Sequence, residues 1–224
     1  SNTDFSIINF RTELIREFLE DNHEVLIVCE VKSYASELEN LGVRIVNIPY
    51  PRKYFDLIGF VLYFIQIQRL IKKHKPDLLL TFTIIPNIVA CWLRKIYPFK
   101  LICNVTGFGR IYSEKDFKSN LLMRIYKKSL CLADFVFVQN KKDYLILASS
   151  KIKQLQILPG SGVSLSKLYS EYFPISRITI LFIGRILEGK GVEYLIKIAP
   201  QFPQYDFRFV GFPELSEEHL ITNN

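Results

Sequence analysis

Short apolar runs alternate with longer stretches in which apolar residues recur every three or four positions, and this alternation persists along most of the chain. The runs at 24–29, 43–48, 78–83, 100–105, 135–139, 155–158, 178–183 and 205–210 are dominated by Val, Ile, Leu and Phe, as strands buried on both faces should be. Residues 10–19, 34–41, 55–75, 86–96, 121–131 and 141–149 carry the amphipathic period of helices, and Val192, Leu195, Ile196 and Ala199 repeat it after the seventh strand. Strands alternating with helices predict an α/β protein with a parallel sheet covered on both faces. Boundary signals agree: Pro86 opens the first turn of a helix, and Asn22 suits the left-handed residue that ends one, with His23 starting the next strand.

The alternation pauses once, where strand 155–158 runs into Pro159-Gly160-Ser161-Gly162. We expect residues 1–165 to form one Rossmann-like domain, 166–176 a linker, and 177–224 the start of a second domain. Two strands and one connecting helix cannot close a core alone. Ser1-Asn2-Thr3-Asp4 reads as the loop after a first strand, so the expectation is a fragment of a longer protein, its first domain nearly complete and its second barely begun.

Composition narrows the function. The 224 residues are 49% hydrophobic, enough for one large core or two modest ones, and the formal charge of +7 favours an anionic partner. Arg69, Lys72, Lys73, His74 and Lys75 form one basic cluster, for which a solvated helix end is an equal reading. Lys115, Lys118, Arg124, Lys127 and Lys128 form another. No helix-turn-helix, zinc-finger or RNA-binding-sheet pattern accompanies them, which argues against nucleic acid and leaves a membrane surface as the more economical partner. Cys29, Cys91, Cys103 and Cys131 form no CxxC pair, and three lie in apolar runs, as reduced core residues of a cytosolic protein do. With His23, His74 and His219 the only histidines, no zinc spacing exists and no metal is expected. Residues 1–11 lack the pattern of a signal peptide, and the longest apolar run, 57–65, is about half the length of a membrane span, so any membrane contact is expected to be peripheral.

Candidate chemistry gathers where strands end. The strand at 178–183 runs into Gly184-Arg185, and Lys190-Gly191 precedes the following helix, an arrangement that places two cations where open α/β sheets bind anions. The same residue types also serve turn geometry and solubility. Thr106-Gly107-Phe108-Gly109 follows strand 100–105 in the same way, with turn formation as its alternative. Gln139-Asn140 and Gly160-Ser161-Gly162 share that edge, either as site residues or as a helix cap and a hinge.

Taken together, NTDFSIINFRTELIREFLEDNHEV at 2–25, PDLLLTFTIIPNI at 76–88, NVTGFG at 104–109, VFVQNKKD at 136–143, LPGSGV at 158–163 and FIGRILEGKG at 182–191 resemble glycosyltransferase family four, retaining enzymes of the GT-B fold. The resemblance is greatest to bacterial transferases that move a sugar, often an N-acetylhexosamine, from a UDP donor to a polyprenyl-diphosphate-linked acceptor in capsule, O-antigen or glycoprotein glycan synthesis. It implies that Arg185, Lys190 and Gly184 hold the donor diphosphate, that Asn2, Thr3 and Asp4 face those phosphates from the first domain, and that Asn104, Thr106, Gly107 and Gly109 line the cleft near the sugar, with 83–87 nearby. It implies no metal or other cofactor and a place at the inner face of the cell membrane. There Arg52, Lys53 and Tyr54 would meet lipid headgroups while helix 55–75 packs mostly internally.

Two departures matter. No histidine lies between His74 and His219, so the histidine many members carry near the sugar is absent from the TGFG loop. Glu214, Glu217 and Glu218 lack the setting of the family's paired glutamates, and no catalytic residue is assigned. The alternatives are a noncatalytic, acceptor-binding half of a split glycosyltransferase, and a GT-B-fold UDP-sugar epimerase. The fragment alone is expected to be inactive.

Overall fold

The computed structural model describes residues 2–51, 56–108, 116–162, 177–184, 186 and 190–211. The chain divides into two compact units, Ser1–Leu165 and Ser166–Asn224.

In the first unit β1 (Leu26–Cys29) pairs with β2 (Arg44–Asn47), and a second sheet runs β3 (Leu78–Phe82), β4 (Lys100–Val105), β5 (Phe135–Val138), β6 (Leu155–Ile157) in that order. Every pairing is parallel, with Leu79 opposite Leu101, Cys103 opposite Val136 and Val138 opposite Ile157. The sequence pattern predicts one sheet; two are found, because β1 and β3 are not hydrogen-bonded to each other.

The helices are α1 (Asp4–Phe10), α2 (Thr12–Glu20), α3 (Ala35–Glu39), α4 (Leu57–His74), α5 (Ile84–Leu93), α6 (Phe117–Leu130) and α7 (Lys141–Ala148). Helix α5 is apolar all round and correspondingly buried, with Trp92 its exposed residue, and it packs on β3, β4, α4 and α6. Leu101, Val105, Leu130, Val136, Val138 and Leu147 complete the core beside it. Side-chain caps start three helices: Asp56 accepts from the Gly59 N–H, Asp116 from Ser119 and Asn140 from Asp143, each at 2.8 Å. Asn140 is thus a helix cap.

The expected helix at 10–19 is found as α2, starting after a break at Arg11 (φ −133°, ψ −5°), and a further helix, α1, precedes it, so that Asp4 lies in the first turn of α1 rather than in a loop. Arg11 instead stacks its guanidinium on the Phe82 ring, 4.0 Å from the centroid. Helix α2 closes as the sequence predicts, with Asn22 at φ +62° and the His23 N–H donating to the Phe18 carbonyl. Cys29, Cys91 and Cys103 are buried, Cys131 is half-buried, and none forms a disulfide. Cys91 and Cys103 bring their sulfurs to 3.7 Å.

The second unit contains β7 (Thr179–Ile183), α8 (Val192–Ile198), a 3-10 turn (Ala199–Gln201) and β8 (Asp206–Val210), with β7 and β8 parallel from Thr179 opposite Asp206 to Ile183 opposite Val210. Among its described residues only Val192 is buried, and Ile183 is 73% exposed. Such a βαβ unit needs further elements to cover its sheet. Among the described residues, no helix is long and apolar enough to cross a membrane.

Candidate functional site

Parallel strands carry all their carboxyl ends to one edge, where ligands of open α/β sheets sit. In the first unit that edge begins with Asn2–Asp4. Thr3 forms a parallel bridge with Glu30, just past β1: the Glu30 N–H donates to the Asn2 carbonyl and the Asp4 N–H to the Glu30 carbonyl, both at 3.0 Å. The Ser6 hydroxyl donates to Asn2 Oδ1 (3.1 Å) and to the Thr3 carbonyl (2.7 Å).

Asp4 is 2% exposed. Its Oδ2 accepts from the backbone N–H groups of Lys32 (2.6 Å), Ser33 (2.8 Å) and Tyr34 (2.9 Å), and its Oδ1 from that of Phe5 (2.8 Å). Burial alone would raise its pKa, but these four donors outweigh it and hold the carboxyl below the usual carboxylate range. Asp4 therefore fixes the β1–α3 connection, and its charge is spent inward rather than presented to a phosphate.

Arg11 lies between α1 and α2, with Nη1 donating to the Phe10 carbonyl and to the Ser161 hydroxyl. Together with its stacking on Phe82, this ties the Gly160-Ser161-Gly162 segment to the α1–α2 corner. Burial lowers the Arg11 pKa from the ordinary arginine value.

Thr83 follows β3 and caps α5 with φ +71° and ψ 170°, a conformation a β-branched residue rarely adopts. Its Oγ1 is buried without a partner among the described residues. One turn on, fully buried Asn87 donates from Nδ2 to the Tyr126 hydroxyl (2.7 Å) and to the Asn104 carbonyl (3.1 Å). Burial pushes the Tyr126 pKa well above the phenol value, against a lowering by the Asn87 hydrogen bond, so the ring stays neutral. Buried Phe108 meets Tyr126 edge-on, with centroids 6.1 Å apart. The loop after β4 is thus held at Asn104 and at Phe108, which leaves Thr106 exposed and Gly107 at φ +118°, where only glycine is comfortable. Gly109 lies outside the described residues.

In the second unit the Gly184 N–H donates to the Val210 carbonyl (3.0 Å), extending the β7–β8 ladder by one step. Gly211 lies so close that a Cβ there would collide with the Gly184 carbonyl. Lys190 is exposed and immediately precedes Gly191, the left-handed N-cap of α8 at φ +83°. Arg185, Arg52, Lys53 and Tyr54 lie outside the described residues. Among the described residues no three His, Cys, Asp or Glu side chains gather as a metal site would need.

The structure adds Arg11, Phe108 and Tyr126 to the edge the sequence outlines. A lone polar residue in the apolar helix IIPNIVACWL marks Asn87 as a buried hydrogen-bonding position, whereas the partners of Arg11 and Tyr126 are 71 and 39 positions away and carry no local signal.

Residues 5–169 match the family of glycosyl transferase 4-like proteins. The chain is 23% identical over 201 residues to the N,N'-diacetylbacillosaminyl-diphospho-undecaprenol alpha-1,3-N-acetylgalactosaminyltransferase of Campylobacter jejuni, covering 85% of this chain and 53% of that protein. It is 24% identical over 171 residues to the O-antigen biosynthesis glycosyltransferase WbnH of Escherichia coli, covering 76% of this chain and 49% of that protein. The chain therefore spans about half the length of the curated relatives it matches. Among solved structures, the sucrose-phosphate synthase of Thermosynechococcus elongatus superposes with a TM-score of 0.70 at 19% identity over 89% of this chain and 55% of that one. Anabaena HepE, solved with UDP and glucose, superposes with 0.65 at 15% identity over 92% and 58%. These likenesses give the fold as the Rossmann-type α/β architecture of GT-B proteins. By the match over residues 5–169, the chain belongs to the glycosyl transferase 4-like family.

Proposed function

We propose that the protein is a retaining glycosyltransferase that moves a sugar, an N-acetylhexosamine, from a UDP donor to a polyprenyl-diphosphate-linked glycan at the cytoplasmic face of a bacterial membrane. The observation that carries this reading is the family match across residues 5–169, which includes the carboxyl-edge loop at Asn104–Phe108 and begins just after Asn2–Asp4. The names of the Campylobacter and Escherichia relatives support a lipid-linked, O-antigen-type product, and the HepE complex supports UDP.

In this reading Arg185 and Lys190 neutralise the charge that develops on the departing UDP, with Arg185 taking two phosphate oxygens and Lys190 acting as a point charge; no metal is called for. Gly184 leaves space for the diphosphate, and Thr106 and Gly107 face the sugar. Asp4, Asn87 and Phe108 position the loops around it.

The membrane contact falls at the start of α4. There Leu57 (75% exposed), Ile58 (77%), Val61 and Leu62 form an apolar surface, and in the sequence Arg52, Lys53 and Tyr54 precede it across Phe55 and Asp56. Internal packing of this helix is centred further along, at Tyr63 and Ile71. An exposed apolar patch preceded in the sequence by basic residues suits an acidic lipid surface.

Calorimetric titration of the full-length parent with UDP, ADP and GDP tests the donor assignment, with transfer from UDP-N-acetylhexosamines to a polyprenyl-diphosphate acceptor as the second step. UDP is expected to bind selectively, and Arg185→Ala and Lys190→Ala each to lose about 10- to 100-fold in affinity, the worth of a hydrogen bond to a charged group. A folded wild type that binds no nucleotide would overturn the reading in favour of an acceptor-binding scaffold.

A further inference from the structure

Helix α6 carries a surface that the proposed site does not use. Phe117, Leu121, Arg124 and Lys128 recur at intervals of four, three and four residues, which lines them up along one side of the helix, and all four are exposed. Phe117, at 81%, is the most exposed large apolar side chain among the described residues, and it stands in a first turn fixed by the Asp116 cap rather than at a frayed end. We infer that this side of α6 binds an anionic phospholipid bilayer, with Phe117 and Leu121 entering among the acyl chains and Arg124, Lys127 and Lys128 held at the lipid phosphates. The inference rests on the membrane-associated reading above, and it adds a second contact to the one at the start of α4.

Three observations single out that occupant. The first is charge. Helix α6 holds four cations, Lys118, Arg124, Lys127 and Lys128, and no acidic residue. Arg124, Lys127 and Lys128 form no ion pair among the described residues, so their charge is left for an external anion. The helix dipole accounts for cations at Lys127 and Lys128, in the last turn, but not for Arg124 in mid-helix or for the exposed Phe117.

The second is the order of these residues. On the exposed side the apolar pair comes first and the cations follow, over roughly 16 Å of helix from Phe117 to Lys128. Chemistry graded along the axis in this way matches the passage from acyl chain to phosphate, with α6 dipping its N-terminal end and the long basic side chains reaching back to the headgroups. A concavity of about 430 Å³ on this side, lined by Phe117, Asn120, Leu121, Met123, Arg124 and Lys127, gives a headgroup a seat between the two halves. The third is placement. Helices α5 and α6 join successive neighbouring strands and so cross over on one side of the four-stranded sheet, and Trp92 of α5 meets both Phe60 of α4 and Ser129 of α6. Helix α6 therefore shares a layer with the exposed residues of α4, and one bilayer surface serves both.

The test is sedimentation of the full-length parent with vesicles of phosphatidylglycerol mixed with phosphatidylcholine, and with vesicles of phosphatidylcholine alone. Each cation at an anionic surface is worth about fivefold in binding, so Arg124→Gln with Lys127→Gln and Lys128→Gln should bind the mixed vesicles about 100-fold more weakly than wild type and match it on phosphatidylcholine. Phe117→Ser with Leu121→Ser should weaken binding about 100-fold on the mixed vesicles. If both α6 variants bind as wild type does while Leu57→Ser with Ile58→Ser loses binding, the inference is overturned and the α4 contact stands. A wild type that binds neither vesicle would overturn the whole membrane reading with it. Lipid binding is read without UDP, so failure of the donor assignment leaves these outcomes unaltered. Acylation of surface lysines in wild type needs no variant: the mixed vesicles should slow labelling of Lys127 and Lys128 about fivefold or more. Unchanged labelling of both in vesicle-bound protein would overturn the inference even if the variants failed to fold.

Discussion

Replacing Asp4 with Asn removes a charge whose use is fully visible. Three backbone N–H groups, from Lys32, Ser33 and Tyr34, converge on one carboxylate oxygen, and the Phe5 N–H takes the other. Asn keeps one acceptor oxygen. Turned to the three-donor side, it converts charge-assisted bonds worth about 1.5–3 kcal/mol into neutral ones worth about 0.5–1.5, and its amide N–H₂ then opposes the Phe5 N–H. Summed with allowance for their sharing one oxygen, the loss is about 3 kcal/mol. The chain's single tryptophan, Trp92, sits on α5 in the first unit, stacked edge-on with Phe60 and donating to the Ser129 hydroxyl, so its fluorescence during urea unfolding reports that unit alone. Because the folded-state pKa of Asp4 is depressed, its stabilisation is fully present above the unfolded value of about 3.9 and is lost as the pH falls through the folded value. Wild type and Asp4→Asn should therefore differ by about 3 kcal/mol at pH 7, and the difference should begin to narrow as the pH falls below about 4. A difference under about 0.5 kcal/mol at pH 7, or one that widens in acid, would refute the role given to Asp4.

Asn87→Ala strips the Asn104 carbonyl and the Tyr126 hydroxyl of their shared donor and opens a small void, so a loss of about 2–3 kcal/mol is expected in the same Trp92 assay. Tyr126→Phe should cost about 1 kcal/mol, and the double mutant should cost less than the sum. Gly211→Ala forces the Gly184 backbone aside; calorimetry on the full-length parent should show UDP affinity falling about 10-fold or more, with the Trp92 transition unchanged. Leu57→Ser with Ile58→Ser removes two largely exposed apolar side chains, worth about 3 kcal/mol together when inserted, so sedimentation with phosphatidylglycerol vesicles should show about 100-fold weaker binding at unaltered helix content.

The order of strands and helices was legible because parallel strands buried on both faces read as unbroken apolar runs and the helices between them keep their period. Where the sequence was silent, the deciding interaction was distant. Nothing local announces α1 or the break that separates it from α2; that break, at Arg11, accompanies contacts with Phe82 and Ser161 that only the folded chain brings together. Asp4 is a candidate phosphate neighbour only through the family resemblance. That its lone pairs go to 32–34 depends on the return of the chain after β1. Thr83 offered no cue either, since its positive φ is imposed by the passage from β3 into α5. The TGFG segment was legible as a bend but not as a supported one, for its anchor is the ring of Phe108 on Tyr126.

The placement of the cysteines makes the protein its own unfolding reporter. All four belong to the first unit. Burial pushes the Cys29 thiol up to about 11, and the bond to Cys103 together with burial pushes Cys91 up as well, so neither supplies reactive thiolate while the fold is intact. Half-buried Cys131 is the site an alkylating probe reaches first. Mass-resolved labelling should therefore stop at one adduct in the native chain and advance to four only as the first unit opens. That step counts its opening events while the cysteine-free second unit stays invisible to the probe.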